Sequence, residues 1–239
     1  MTNMPDFGPL EERLGHVFRD RSLLLQALTH RSYLNENTSY EYPHNERLEF
    51  LGDAVLELVV TEYLYKNYAN DEGELTNWRA ALVNAKTLST IAKDLDFEEY
   101  LLLSKGEAKD KDTKARMYIL ANAIEAIIGA IYLDGGTPAA DKFVNAHILS
   151  LLQRILDEEL YVDAKSKFQE TSQELLGVTP TYRVLEEKGP DHAKEFTIGV
   201  YLDKELIAVG SGTSKQEAQV AAAEAGLEAK GWRTHKTKK

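Results

Sequence analysis

Residues 45–58 read NERLEFLGDAVLEL, and this stretch decides the fold of the first two thirds of the chain. Its apolar positions recur at spacings of three and four, the period of a helix. At about 100° per residue, Glu46, Glu49 and Asp53 fall within about 60° of one another, while Leu48, Leu51, Val55 and Val59 lie largely on other faces. Carboxylates sharing a stripe repel by roughly 0.2–0.5 kcal/mol per pair even when exposed. A solvated acidic face is one reading of such a stripe. The apolar residues on both sides of it support another, in which it borders a packed surface and needs a compensating partner.

Working outward, the same periodicity predicts helices over 9–14, 21–29, 74–83, 85–95, 117–134 and 138–155 beside the central one over 45–68. The breaks between them are a polar, turn-rich stretch at 35–43, an acidic turn at 70–73 and a helix stop at Gly135-Gly136. The segment KGEAKDKDTKAR at 105–116 reads as an exposed charged loop whose cations, with Arg79, are candidates to guide phosphates. In the helix ILANAIEAIIGAIYLDGG (119–136), Asn122 and Glu125 form the one markedly polar stripe on an otherwise apolar surface. A buried Glu is costly unless paired, protonated or bound to a cation. Hard oxygens converging from two helices suit magnesium or manganese, and paired metals are a common route to cutting phosphodiesters.

Composition bounds the alternatives. The chain has 239 residues, 43% of them hydrophobic, no cysteine and a net charge of -11. Without cysteine there is no disulfide, thiolate zinc site or cysteine nucleophile. The six histidines show no HExxH or similar spacing, which argues against a zinc hydrolase. The start lacks a basic segment followed by an apolar run, so the expectation is a cytoplasmic chain with no membrane span. Net acidity argues against a nucleic-acid partner, but residues 1–162 carry 16 Lys and Arg against 27 Asp and Glu, while residues 163–239 carry 12 of each. The excess charge belongs to the first part alone.

Beyond about residue 160 the pattern changes. A helix-like 166–176 is followed by strand-like 181–187, 195–202 and 205–211 and an Ala-rich helix over 214–230. Phe196, Ile198, Val200 and Leu202 alternate as a half-buried strand should. Two domains follow: 8–156 all-α, 157–163 a charged linker, 164–232 a small α+β unit of order α-β-β-β-α, and 233–239 a basic tail.

NERLEFLGDAVLEL resembles the signature of the ribonuclease III family. LTHRSY at 28–33, DEGELTNWRAALV at 71–83 and the 119–136 helix are similar to further stretches of its bacterial members. The resemblance implies an all-α helical endonuclease domain that forms a homodimer and hydrolyses double-stranded RNA with Mg2+, Mn2+ able to substitute and no small-molecule cofactor needed. It implies 5′ phosphate and 3′ hydroxyl ends with a short 3′ overhang, and a role in processing structured precursors such as rRNA, and mRNA. By position it makes Glu49, Asp53, Asn122 and Glu125 metal ligands, with Asp53 and Glu125 catalytic and Glu46 and Glu72 supporting. Phe50 matches an aromatic at the dimer interface, with a place in its own core nearly as good a fit; Glu57 continues the acidic stripe and reads as surface or dimer-contact polarity.

One position departs from the pattern, since Asn122 stands where the family usually has Asp. An amide oxygen can coordinate magnesium but brings no charge. Two readings therefore stay open: a working nuclease, or a catalytically impaired dimeric protein that binds double-stranded RNA. The second unit resembles the double-stranded RNA-binding domain, which reads duplex shape across two minor grooves. That likeness assigns Gln169 and Glu170 to one groove, Gly189, Pro190, Asp191 and His192 to the next, and Ser214 and Lys215 to the phosphates between them. Gln216 and Gln219 leave this last region less basic than is usual.

Overall fold

The computed structural model describes residues 6–111, 113–190 and 194–232, and divides into two units between Tyr161 and Val162. The first unit is helical: α1 (Gly8–Leu14), α2 (Arg21–Leu28), α3 (Arg31–Glu36), α4 (Glu46–Asn67), α5 (Glu72–Val83), α6 (Ala85–Asp94), α7 (Lys114–His147) and α8 (Leu152–Asp157). Local chemistry sets many of the boundaries. Asp20, Asp71, Asn84 and Thr113 each accept a backbone N–H from the first turn of the following helix, a cap worth about 1 kcal/mol.

The axis of this unit is α7. Ile119, Leu120, Ile124, Ile127, Ile128 and Ile131 are buried along it against α2, α4 and α6, each contributing about 1.5–3 kcal/mol of apolar burial. Length and composition would let this helix cross a membrane, but most of its apolar window is covered by neighbouring helices. At Gly136 the backbone leaves helical geometry (φ 72°, ψ -174°), a conformation that favours glycine. The expected stop stands there as a break that divides α7 into two helical segments. Beside it the buried Asp134 carboxylate accepts the backbone N–H groups of Arg19 (3.2 Å) and Asp20 (3.0 Å) and lies 2.9 Å from His16 Nε2. Burial alone would push that carboxyl up, but these hydrogen bonds outweigh it and hold its pKa below the ordinary range.

Three expectations change. The turn-rich stretch expected from residue 35 begins only after Glu36, because His30 accepts the Ser32 N–H (3.3 Å) and starts α3, a short helix with no buried residue and hence no periodic signature. The helix expected through 155 ends at His147, a 3-10 turn at Leu149–Leu151 intervening before α8. The charged loop stops at Thr113, and Arg116 is buried in the first turn of α7, its Nε donating to Glu98 at 2.7 Å. It therefore does not face phosphates.

The second unit contains α9 (Ala164–Leu176), β1 (Thr181–Lys188), β2 (Glu195–Leu202), β3 (Glu205–Gly212) and α10 (Lys215–Ala229). The strands form an antiparallel sheet of order β1-β2-β3, in which Val200 faces Tyr182 on one side and Ala208 on the other. Ile198, Val200 and Leu202 are buried, and Val200 and Leu202 pack with Phe168, Ala222, Ala223 and Leu227 from the helices. Gly210 permits the close approach of α10, because a Cβ there would lie 2.1 Å from the Ala222 nitrogen.

Candidate active site

Two glycines set the geometry of the acidic cluster. A Cβ on Gly52 would lie 1.7 Å from the Glu125 carbonyl oxygen, and one on Gly129 would lie 2.3 Å from the Leu48 carbonyl oxygen. So α4 and α7 touch backbone to backbone between the residues that carry the carboxylates. The start of α4 is pinned as well. Asn45 is buried, its N–H donating to the Thr29 carbonyl (2.9 Å) and its amide to that of Ala27 (3.3 Å), while Thr29 bridges to Leu102. This is what the LTHRSY segment contributes.

On this frame Glu49, Asp53 and Glu125 lie near enough to feel one another's charge, and Asn122 sits beside Glu49. Glu125 is half-buried, and its carboxyl is pushed up to about 7, first by burial and then by the charges of Asp53, Glu49 and Glu57. Burial and the charges of Glu46 and Asp53 also raise Glu49, while a hydrogen bond from the Asn122 side chain pulls it the other way. Glu46 is exposed, 3.5 Å from Arg31 and 3.8 Å from His44. Among the described residues no three His, Asp or Glu side chains are already arranged as a metal cage. The donors, three carboxylates and an amide oxygen, are of the hard kind that Mg2+ and Mn2+ take.

Glu72 stands apart. It accepts from Thr76 Oγ1 (3.4 Å) at the start of α5 and lines a surface hollow of about 560 Å³ walled by Thr61, Leu64, Tyr65, Tyr68 and Leu75. Of these, Thr61, Leu64 and Tyr65 lie roughly 12–18 Å along α4 from Asp53 at about 1.5 Å per residue. Phe50 is not in its own core: it is 82% exposed and shares a face of α4 with Leu58 (64%) and Tyr65 (79%).

In the second unit Gln169 and Glu170 are exposed on α9, and Gly189 and Pro190 are exposed after β1; Asp191, His192 and the tail at 233–239 lie outside the described residues. Ser214 caps α10 by accepting the Glu217 N–H (3.1 Å), and Glu217 in turn accepts the Thr213 N–H (3.0 Å). Lys215 is exposed at that helix start, its Nζ 5.6 Å from the Phe196 ring centroid.

Against known proteins, a family model described as ribonuclease-III-like matches residues 20–152, and one for the double-stranded RNA binding motif matches residues 164–230. The chain belongs to the ribonuclease III family. It is 43% identical over 228 residues to Ribonuclease 3 of Sulfurovum sp., covering 95% of this chain and 99% of that one. It is 45% identical over 215 residues to that of Protochlamydia amoebophila, covering 90% and 88%. A crystal structure of the nuclease domain of Campylobacter jejuni ribonuclease III matches with TM-score 0.54 and 43% identity, covering 63% of this chain and 96% of that one. As a ribonuclease III the chain is an endoribonuclease directed at double-stranded RNA, with a helical nuclease domain and a small RNA-binding domain.

Sequence reasoning missed some residues of this ribonuclease III. Glu57 reads from sequence as surface or dimer-contact polarity, yet its charge reaches Glu125, and Arg79 holds it at 2.9 Å. Lys165, in the first turn of α9, reaches Gln219 Oε1 (2.7 Å) on α10 and so adds a cation near Lys215. Neither contact leaves a local signal, because each joins residues more than 20 positions apart.

Proposed function

We propose that the chain hydrolyses phosphodiester bonds of double-stranded RNA with a divalent metal held by Glu49, Asp53, Asn122 and Glu125, magnesium being the natural ion and manganese a substitute. The observation that carries this reading is Glu125, a half-buried carboxyl pushed up to about 7 on helices whose backbones touch. A divalent cation among these oxygens relieves both burial and repulsion. When bound, it supplies Lewis acidity, lowering the pKa of a coordinated water and stabilising charge on the leaving 3′ oxygen.

The chain's own groups supply position. Glu49 and Asp53 present oxygens from one face of α4, and Asn122 and Glu125 from α7. The Asn122 amide orients the Glu49 carboxylate by hydrogen bonding to it. Glu46 adds charge beside Glu49 and is itself steadied by Arg31. Because ligands bind deprotonated, metal uptake near neutral pH releases a proton from Glu125.

The functional unit is read as a homodimer. Related work on the Campylobacter jejuni nuclease domain concerns a region involved in dimer formation (43% identity, TM-score 0.54). In this chain Phe50 and the hollow near Tyr65 lie about 22 Å apart along α4, on either side of its midpoint. A two-fold axis crossing α4 there would set each Phe50 against the partner's hollow, as an isologous contact requires. The same axis carries Glu72, on the hollow's rim, toward the neighbouring acidic cluster, which gives it its supporting role. Structured precursors such as ribosomal and messenger RNA, met in the cytoplasm, are the substrates this reading expects.

The test is cleavage of a long RNA duplex across Mg2+ and Mn2+ titrations, with Glu125→Gln as control. Metal-dependent cleavage that the control abolishes is the expected result. A chain silent at every metal concentration but revived by Asn122→Asp would replace the proposal with the second reading, a dimer that binds duplex RNA without cutting.

A further inference from the structure

Arg79 is left over from the site as described so far. It lies on α5, in the DEGELTNWRAALV motif, yet its guanidinium reaches across to α4: Nε is 2.9 Å from Glu57 Oε2 and Nη1 donates to Thr61 Oγ1 at 2.9 Å. Its side chain also lines the hollow at Tyr65. Glu57 is the next member of the stripe formed by Glu49 and Asp53, two turns beyond Glu49, and its charge is felt at Glu125. Both side chains of the pair are about one third exposed, 34% for Arg79 and 38% for Glu57. An ion pair that wet adds little to stability. What the two-pronged contact supplies is direction.

Resting on the reading of Glu49, Asp53, Asn122 and Glu125 as the metal site, we propose that Arg79 is a positioning residue that holds the Glu57 carboxylate out of that site. Glu57 is a hard ligand on the metal-binding stripe, one turn past Asp53. Tied to Arg79, it is turned toward α5 and its charge is partly offset, though still felt at Glu125. Released, it offers a competing oxygen and one more negative charge, so a cation binds more tightly while being drawn from the place where Asn122 and Glu125 meet Glu49 and Asp53.

The prediction is a split in sign. Mn2+ binding to the RNA-free full chain, read by calorimetry, should tighten roughly threefold to tenfold in Arg79→Met, whereas duplex cleavage at saturating Mn2+ should slow about tenfold. Adding Glu57→Gln to Arg79→Met should return both values to within about twofold of the parent chain. A structural role, or a phosphate contact by Arg79, moves the two readouts differently: binding and cleavage weaken together, or cleavage alone falls and the double variant fails to restore it. Either outcome overturns the proposal, as does Mn2+ affinity that Arg79→Met leaves unchanged. If the parent chain does not cut at all, the enzymatic reading fails by itself, and the tightening of Mn2+ binding and its reversal still decide the role of Arg79.

Discussion

Both units of the molecule bring backbones together at glycine, and they use the contact for different ends. At Gly52 and Gly129 the surfaces that meet are flanked by Glu49, Asp53 and Glu125; at Gly210 the residues met are Ala221 and Ala222. The first contact places like charges where water cannot fully solvate them, at a cost to stability. The second gathers small apolar side chains and costs nothing electrostatically. Close approach therefore serves position in the nuclease unit and packing in the RNA-binding unit.

The sharpest way to break this comparison is to add a methyl group on each side. In Gly52→Ala the new Cβ meets a backbone carbonyl on a buried helix, and neither helix can yield without moving the carboxylates. Destabilisation of about 3 kcal/mol or more is expected from overpacking, with at least a hundredfold loss of cleavage per folded molecule. Gly210→Ala meets the Ala222 nitrogen and should destabilise the second unit by a similar amount. It should weaken duplex binding yet leave Mn2+ affinity unchanged. Thermal unfolding with calorimetric Mn2+ titration separates the two, and equal loss of metal affinity in both variants would remove the distinction.

The electrostatic half of the contrast is tested without metal. Folding raises the Glu125 carboxyl from 4.5 to about 7, so the folded chain keeps a proton that the unfolded chain releases. The associated stability is full below about pH 4.5 and is lost as pH rises through about 7. At about 1.4 kcal/mol per unit the upper limit is near 3 kcal/mol, and solvent screening of this partly exposed group brings the expected value to about 1 kcal/mol. In EDTA, Glu125→Gln should therefore stabilise the chain at pH 8 and make little difference at pH 4. A variant that unfolds at the parent's denaturant midpoint at both pH values would show that neither burial nor the charges of Asp53, Glu49 and Glu57 oppose ionisation of Glu125.

Asn122→Asp restores charge to the same site. A unit charge 4 Å from a cation is worth up to about 4 kcal/mol at an effective dielectric near 20, less the added repulsion from Glu49, whose hydrogen bond from Asn122 is also lost. The net expectation is Mg2+ binding tightened about tenfold. Weaker binding would mean that the amide orients Glu49 in a way that charge cannot replace.

How much of this was legible beforehand follows from the range of each interaction. The stripe of Glu46, Glu49 and Asp53, the polar pair on the apolar helix and the alternation in β2 are written in local period, and their helices and strand stand where the period puts them. Gly135-Gly136 marked a real break in helical backbone. Contacts between distant segments were not legible. Arg116 looked like part of a charged loop because Glu98, its partner, lies 18 residues earlier. Glu57 reads as surface or dimer-contact polarity and Arg79 as a phosphate guide for the same reason, and Glu72 joins the cluster by motif although the structure keeps it apart. Phe50 could not be assigned to core or surface until α7 was seen to cover the opposite face of α4.

The smallest expected effect lies in the second unit, where recognition is spread over several weak contacts. Lys215 begins α10, and the Ser214 and Glu217 caps occupy only some of the N–H groups at that helix end. The remaining N–H groups and the helix dipole favour a phosphate there. With Gln at 216 and 219, Lys215 is the one cation in that first turn, although Lys165 approaches from α9 through Gln219. Lys215→Ala should weaken duplex binding a few-fold and lower the salt slope of binding by about one ion. Metal affinity and cleavage at saturating RNA should stay as they were, since no acidic-cluster residue lies in this unit. Because Lys165 can shift toward the vacated phosphate, Lys165→Ala combined with Lys215→Ala should lower the slope by more than the two single changes together. Strict additivity would instead make Lys165 a structural residue, engaged with Gln219 and the Tyr182 ring (5.2 Å) rather than with RNA.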